Sequence, residues 1–183
     1  MRRAFRRAMR QGPSQDIPPM LRQAHQMMAA GNYAGAADAF EQLGRAAEAR
    51  GGPRAGNFYL QAGRAHIMAG QKQIGLDNLK RGLEYMHHMG RHGRLYRAGN
   101  RVVNELNQNG MTTESQEIAD WLKTVLPAGA AGMVAPAAGP AKKPALPTHC
   151  PGCGGPVRAD EVEWLDEVTA ECNWCGGPVR AEG

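Results

Sequence analysis

Cys150-Pro-Gly-Cys153 and Cys172-Asn-Trp-Cys175 decide the fold of the last part of the chain. They hold all four cysteines of the 183-residue sequence, in two CxxC pairs separated by eighteen residues. Two CxxC turns on neighbouring hairpins supply the four soft donors that a tetrahedral Zn²⁺ needs. Four cysteines leave no coordination position for a catalytic water. The motif therefore predicts one structural Zn²⁺ held by these four cysteines, with a redox protein that uses the CxxC pairs as the alternative.

The two pairs continue in the same way, as GGPVRAD over residues 154–160 and GGPVRAE over residues 176–182. A glycine after each second cysteine permits the left-handed backbone that turns amide N–H groups toward the thiolates. Between the pairs, residues 161–165 and 168–172 alternate as strands do. This pattern resembles a zinc ribbon, and the resemblance covers residues 148–183.

Charge is distributed unevenly along the chain. Its formal net charge is +5, yet residues 150–183 contain two basic and seven acidic side chains. Affinity for nucleic acid depends on cationic contacts to phosphates, so the acidic ribbon is a poor candidate for binding DNA or RNA. The sequence has no apolar run long enough to cross a membrane and no apolar region typical of a secretory signal. Because every cysteine belongs to the metal motif, we expect a cytoplasmic protein.

Residues 127–147 are a predicted linker of eight alanines, five prolines and three glycines. Prolines favour extended segments, and the stretch has no apolar periodicity. From this composition we expect the ribbon to move independently of the region that precedes it.

Residues 1–16 are a predicted basic tail. Met1, Phe5, Ala8 and Met9 would share one face of a helix, surrounded by arginines. The tail arginines are Arg2, Arg3, Arg6, Arg7 and Arg10. Such a segment can lie on an anionic membrane surface, or bind RNA or an acidic protein, and a disordered basic tail is the alternative. We also expect a weak contact between these arginines and the acidic residues 160–167.

Residues 17–126 contain a degenerate repeat marked by Gly31, Gly70 and Gly110, at spacings of 39 and 40 residues. Glycine at these positions suits the left-handed residue that ends the first helix of a helical hairpin. Small residues recur five positions after each glycine, where two helices must approach closely. These small residues are Ala36, Gly75 and Ser115.

This pattern resembles a tetratricopeptide repeat array of three hairpins. The fold predicted for the whole chain is therefore mainly α, a three-hairpin tetratricopeptide-like α-solenoid plus a small β zinc ribbon. An ordinary six-helix bundle without a concave groove is the alternative. In the family, the first helices of the hairpins line a concave peptide-binding groove. The resemblance implies a groove lined by Arg22, His25, Asn57, Gln61, Arg64, Arg97, Asn100, Arg101 and Asn104.

Arg97 and Arg101 match two basic positions by which clamp-type members of this family hold a peptide's C-terminal carboxylate. They are four residues apart and so share a helix face. The resemblance therefore implies an acidic peptide as a ligand, although Leu21 and His25 stand where those clamps have lysine and asparagine. A solvated basic face is the alternative interpretation.

The sequence of the third hairpin predicts a surface at which the protein associates with itself or with a partner. Ile118, Trp121, Leu122 and Val125 fill more than one narrow helical stripe, so we expect self-association or a docked partner there. The cluster His87, His88 and His92 lies near the end of the second hairpin, where histidine complements the helix dipole, and is not expected to bind metal.

No catalytic motif is present in the sequence: it lacks GxGxxG, a P-loop, GxSxG and HExxH. We therefore predict a non-enzymatic adaptor or scaffold, with helical repeats that bind a protein or acidic peptide and a ribbon that makes a second protein contact. One competing hypothesis is a nucleic-acid-associated factor that uses the arginine tail and the basic groove.

Overall fold

A computed structural model describes residues 19–129, 145–159, 162–164, 167–172, 174–175 and 177–181. This part of the chain is mainly helical, with six helices and one small antiparallel sheet. The helices are α1 (Pro19–Ala29), α2 (Tyr33–Glu48), α3 (Ala55–Met68), α4 (Lys72–His88), α5 (His92–Gln108) and α6 (Thr112–Val125). Within the described ranges, no helix combines the length and apolar character that a membrane span requires. The predicted tail, residues 1–16, and most of the predicted linker lie outside these ranges.

The aligned glycines end the first helix of each hairpin, as predicted. Gly31, Gly70 and Gly110 have φ angles of 77°, 83° and 73°, in the left-handed region that glycine adopts without steric cost. In each case the next residue donates its amide to a carbonyl in the last turn of the helix, for example Met111 to Leu106 at 2.9 Å. These bonds satisfy carbonyls that a helix end leaves unpaired.

The same turn also joins the second hairpin to the third, which the repeat alignment did not identify. Gly90 has a φ of 66°, and the Arg91 amide donates to the Met86 carbonyl at 3.1 Å. Consequently α4, α5 and α6 begin at residues 72, 92 and 112, each twenty residues after the last. His88 therefore ends α4 and His92 begins α5, so they do not lie on one continuous helix.

Helices α3 and α4 approach closely at two pairs of glycines. A Cβ built on Gly63 would lie 2.7 Å from the carbonyl oxygen of Gly75, and one built on Gly82 would lie 2.7 Å from that of Gly56. No side chain fits at these distances, so the small residues set the helix separation. The expectation that small residues mark close helix contacts is confirmed for this hairpin.

The buried apolar residues form two clusters. One cluster joins α3 to the last three helices through residues such as Leu83, Leu95 and Ile118. The other contains Leu21 and Phe40 of the first hairpin, and it extends without interruption into the cysteine region.

The sheet consists of β1 (Glu163–Trp164), β2 (Thr169–Glu171) and β3 (Pro178–Arg180), in the order β1-β2-β3. All neighbours are antiparallel, and Ala170 lies opposite both Trp164 and Val179. Both expected strands are present, in shorter form than the predicted ranges. The third strand was missed because it covers only three residues after the second cysteine pair.

The cysteine region packs against the first helical hairpin. The rings of His25 and Trp174 are 5.4 Å apart and edge-on, and an Arg54 guanidinium nitrogen lies 3.7 Å from a Glu171 carboxylate oxygen. The expectation that this region moves independently is therefore wrong. It was drawn from linker composition, which describes the connecting residues and contains no information about apolar surfaces at either end.

Candidate metal centre

The four cysteines converge on one point, as the spacing predicted. The Sγ atoms of Cys150 and Cys175 are 3.7 Å apart, and those of Cys153 and Cys172 are 3.8 Å apart. All four lie within 4.8 Å of one another. Tetrahedral ligands at the zinc–sulfur bond length of about 2.3 Å would be about 3.8 Å apart. The cluster can therefore hold a metal ion with little rearrangement.

Both cysteine pairs are closed by the same kind of backbone hydrogen bond. The Cys150 amide donates to the Gly155 carbonyl at 2.8 Å, and the Cys172 amide donates to the Gly177 carbonyl at 2.9 Å. Gly154 has the expected left-handed backbone, with a φ of 73°. The two cysteine pairs thus share this backbone hydrogen bond, in which the first cysteine of the pair bonds to the residue five positions later.

Backbone amides point at the sulfur atoms. The amides of Gly155 and Gly177 donate to the Sγ atoms of Cys153 and Cys175, each at 3.4 Å. The Trp174 amide donates to the Cys172 Sγ atom at 3.4 Å. Hydrogen bonds of this kind favour the thiolate, which is the form that binds metal.

Hydrogen bonds between the cysteine side chains shift the pKa values of Cys153 and Cys175 in opposite directions. Hydrogen bonds from Cys153 and Cys172 lower the pKa of Cys175 to about 2. The hydrogen bond to Cys172 raises the pKa of Cys153 well above its usual range. The Cys175 thiolate is therefore stabilised by its neighbours, and a bound cation would favour the ionised form of Cys153, whose pKa is raised.

Burial argues against redox exchange at this cluster. The relative exposures of Cys150, Cys153, Cys172 and Cys175 are 4%, 0%, 1% and 5%. Reactive dithiols need access to their partner, whereas these sulfurs are enclosed by protein. The arrangement suits a structural metal centre.

His25 packs under the metal centre as a neutral ring. Burial, and to a lesser extent the nearby His149, lower the pKa of His25 to about 4. The ring makes edge-on contacts with Phe40 at 5.2 Å and with Trp174 at 5.4 Å. A Cβ on Gly155 would lie 2.8 Å from the His25 Nε2 atom, so this glycine permits close packing of the two regions. The motif contained Trp174, but only the structure shows which helix it contacts.

The predicted groove residues do not all face an open surface. His25 lies under Trp174, and Gln61 is only 7% exposed. Both residues are therefore unsuited to contacting a peptide, which corrects their assignment. Repeat alignment placed them on the inner face, but it could not show that Trp174 packs on His25 or that Gln61 is buried.

Other groove residues lie on α1, α3 and α5, as the alignment predicted. The Arg64 Nε atom donates to a Glu105 carboxylate oxygen at 2.7 Å, which joins α3 to α5. Arg97 and Arg101 are half-buried on α5. Arg22, Asn100 and Asn104 are exposed, and Asn57 is half-buried. Whether this surface binds a peptide stays a prediction.

The histidine cluster lies beside α6. The ring centroid of His87 is 6.1 Å from that of His92 and 6.2 Å from that of Trp121. His87 is half-buried, and the exposed His88 lies in the last turn of α4. These rings therefore contribute to the packing between the second and third hairpins.

Comparisons with family models, with curated proteins and with solved structures give no match to this chain. The functional conclusion therefore rests on the cysteine cluster and on the helical region against which it packs.

Proposed function

We propose that this protein is a non-enzymatic scaffold in which a zinc ribbon is held against a tetratricopeptide-like helical array. The array binds a protein or acidic peptide, and the ribbon makes a second protein contact. The observation that carries the proposal is the buried cluster of four cysteines whose paired Sγ atoms are 3.7 and 3.8 Å apart. A cytoplasmic location accords with four cysteines that form no disulfide.

Zinc is the metal that this donor set favours. Four thiolates in tetrahedral geometry select Zn²⁺ or iron among common biological metals. A closed site of four cysteines with zinc supplies folding energy and no open position for chemistry. Zn²⁺ would balance part of the negative charge of the thiolates and fix the two turns relative to each other.

The repeat interpretation is supported by the turns and by the close helix pairs. Three hairpins reverse direction at an aligned left-handed glycine, and small residues separate α3 from α4. Helical repeats of this kind present extended surfaces to protein partners. Arg97 and Arg101, on α5, are the residues we assign to an acidic ligand.

Native mass spectrometry of the full chain tests the metal. We expect one zinc ion per chain, no visible absorption from iron, and loss of the metal in Cys153→Ser and Cys172→Ser variants. Pro151→Ser, which changes the same turn without removing a ligand, is the control and should keep the metal. A metal-free chain with thiols that react freely while it is folded would refute the zinc proposal.

Affinity capture with the zinc-loaded chain tests the scaffold. A partner that binds wild type should be lost with the Arg97→Glu, Arg101→Glu double variant and retained with Arg45→Glu, which makes the same kind of charge change on α2. Capture that disappears after nuclease treatment, with a steep dependence on salt, would instead favour the nucleic-acid hypothesis.

A further inference from the structure

A cleft lies between α4 and α6, in the second and third hairpins. Ile118 and Trp121 of α6 form its apolar wall, and Lys80, Glu84 and Glu117 complete the lining. Its volume is about 180 Å³, which is room for one bulky side chain. Ile118 is buried, whereas Trp121 is half-buried and keeps part of its ring open to the cleft.

The cleft lies on an acidic helix in a basic protein. Helix α6 carries Glu114, Glu117 and Asp120 against a single basic residue, Lys123, while the whole chain has a net charge of +5. Lys80 is 3.2 Å from Glu117 across the cleft, and both side chains are largely exposed. An exposed ion pair of this kind is worth only about 0–1 kcal/mol, so another cation can replace Lys80. The chemistry selects a ligand with one apolar anchor and adjacent positive charge.

Residues 1–12 of this chain have that chemistry. They contain five arginines and no acidic residue, together with Phe5 as their only aromatic side chain. Met1 and Met9 are each four positions from Phe5, the spacing at which side chains of a helix share one face. We propose that the α4–α6 cleft binds residues 1–12 of a second copy of the chain, with Phe5 in the cavity and arginines beside Glu84 and Glu117.

The order of the helices favours a second copy as the source. Helix α1, which the tail precedes, packs on α2, whereas α6 packs on α5 and α4. Residues 13–18 are the only connection between the tail and α1, and six residues span at most about 20 Å. A tail seated in the cleft of another chain produces a head-to-tail contact between different surfaces. Because this contact joins two molecules, the fraction of clefts that are occupied should rise with protein concentration.

Fluorine NMR of the full zinc-loaded chain, labelled with 5-fluorotryptophan, tests the proposal. The chain has three tryptophans, of which Trp121 reports on the cleft and Trp164 reports on the acidic part of the ribbon. We expect the Trp121 resonance to move as the protein is concentrated and to return on dilution or at high salt. Labelled Phe5→Ala protein, mixed with unlabelled wild type, should show the same movement, because its cleft accepts a tail from another chain.

The variants should weaken self-association by different amounts. Phe5→Ala should weaken self-association at least about tenfold, as removal of a central aromatic anchor does at other interfaces. Glu84→Lys should weaken it as well, whereas Glu114→Lys, with the same charge change on α6 away from the cleft lining, should have the smaller effect. A Trp121 resonance that is independent of concentration would overturn the proposal. Movement of the Trp164 resonance in its place would assign the tail to the ribbon and would also overturn it.

Discussion

Replacing Trp174 with alanine tests whether the metal centre and the first hairpin form one cooperative unit. The indole is 7% exposed, its Nε1 atom donates to the Pro156 carbonyl at 2.8 Å, and its ring packs on His25. The substitution keeps all four cysteines and the backbone amide that donates to Cys172. The variant should therefore still bind metal while losing the contact between ribbon and helices.

The structure gives the size of the expected effect. A buried tryptophan covers about 150–250 Å², and half of that area at about 25 cal/mol per Å² contributes about 2–3 kcal/mol to the contact with the helices. The edge-on ring pair adds about 0.5–1.5 kcal/mol. The partly exposed Arg54–Glu171 pair, which separates when the ribbon undocks, adds about 0–1 kcal/mol. Loss of the contact should therefore cost the first hairpin about 2.5–5.5 kcal/mol.

Hydrogen exchange measured by mass spectrometry reports this loss by region. Each 1.4 kcal/mol corresponds to a factor of about ten in the opening equilibrium, so exchange in α1 and α2 should accelerate by roughly two to four powers of ten. Exchange in α5 and α6 should change much less. Treatment with a chelator should have the same regional effect, because a metal held by Cys172 and Cys175 would fix the turn that carries Trp174.

Trp121→Ala is the control, since it deletes the same side chain at the other end of the helical region. It should accelerate exchange in α5 and α6 and leave α1 largely unchanged. The reasoning is refuted if Trp174→Ala leaves exchange in α1 and α2 as in wild type. It is also refuted if every helix accelerates equally, because the effect would then be global.

Two further predictions concern the helical region, and both are checked by urea unfolding. Tyr59→Phe removes the hydrogen bond that this fully buried tyrosine donates to the Glu48 carboxylate, and the loss should reduce the free energy of unfolding by about 1.5–3 kcal/mol. Tyr85→Phe is the control: its hydroxyl donates to a neutral carbonyl, so this substitution should cost only about 1 kcal/mol. Burial, and then the hydrogen bond to Glu48, raise the pKa of Tyr59 from 10.0 to about 12. The stability that Tyr59 contributes to the wild type should therefore be lost as the pH rises from about 10 to 12, and Tyr59→Phe should lack this contribution. Gly63→Ala places a Cβ 2.7 Å from a backbone oxygen of α4 and should cost at least about 1–3 kcal/mol. Gly35→Ala meets the Asn32 side chain that caps α2 and should cost less, because the better helix propensity of alanine offsets a weakened cap. Equal effects of the two alanines would show that the helix separation is not set by glycine.

Local features of this protein could be predicted from its sequence. The spacing of the cysteines predicts the cluster because two short turns and a hairpin leave few ways to arrange four sulfurs. The left-handed turns at Gly31, Gly70 and Gly110 follow from the conformational freedom of glycine at the end of an apolar period. Each of these features depends on residues that are close along the chain.

Long-range features could not be predicted in this way. The burial of His25 depends on Trp174, about 150 residues later, and no periodicity connects the two. The repeat alignment, which used a period of about forty residues, did not show that Gly90 forms the same left-handed turn between the second and third hairpins. Apolar character predicts that a residue is buried, but the partner surface is decided by the packing of the whole chain.

The cysteine region covers an apolar surface at one end of the helical region. A repeat array exposes an apolar face at each end unless something covers it. Here the covering of the first hairpin comes from the opposite end of the sequence, through a contact centred on Trp174 and His25. The third hairpin keeps a half-buried Trp121 beside a cleft. One end is thus covered by the cysteine region, whose folding would depend on a metal under the proposed function, while the other has a cleft that another molecule could fill. Occupancy of the metal centre should therefore control the stability of the first hairpin while leaving the α4–α6 cleft intact, and the two surfaces can be tested separately.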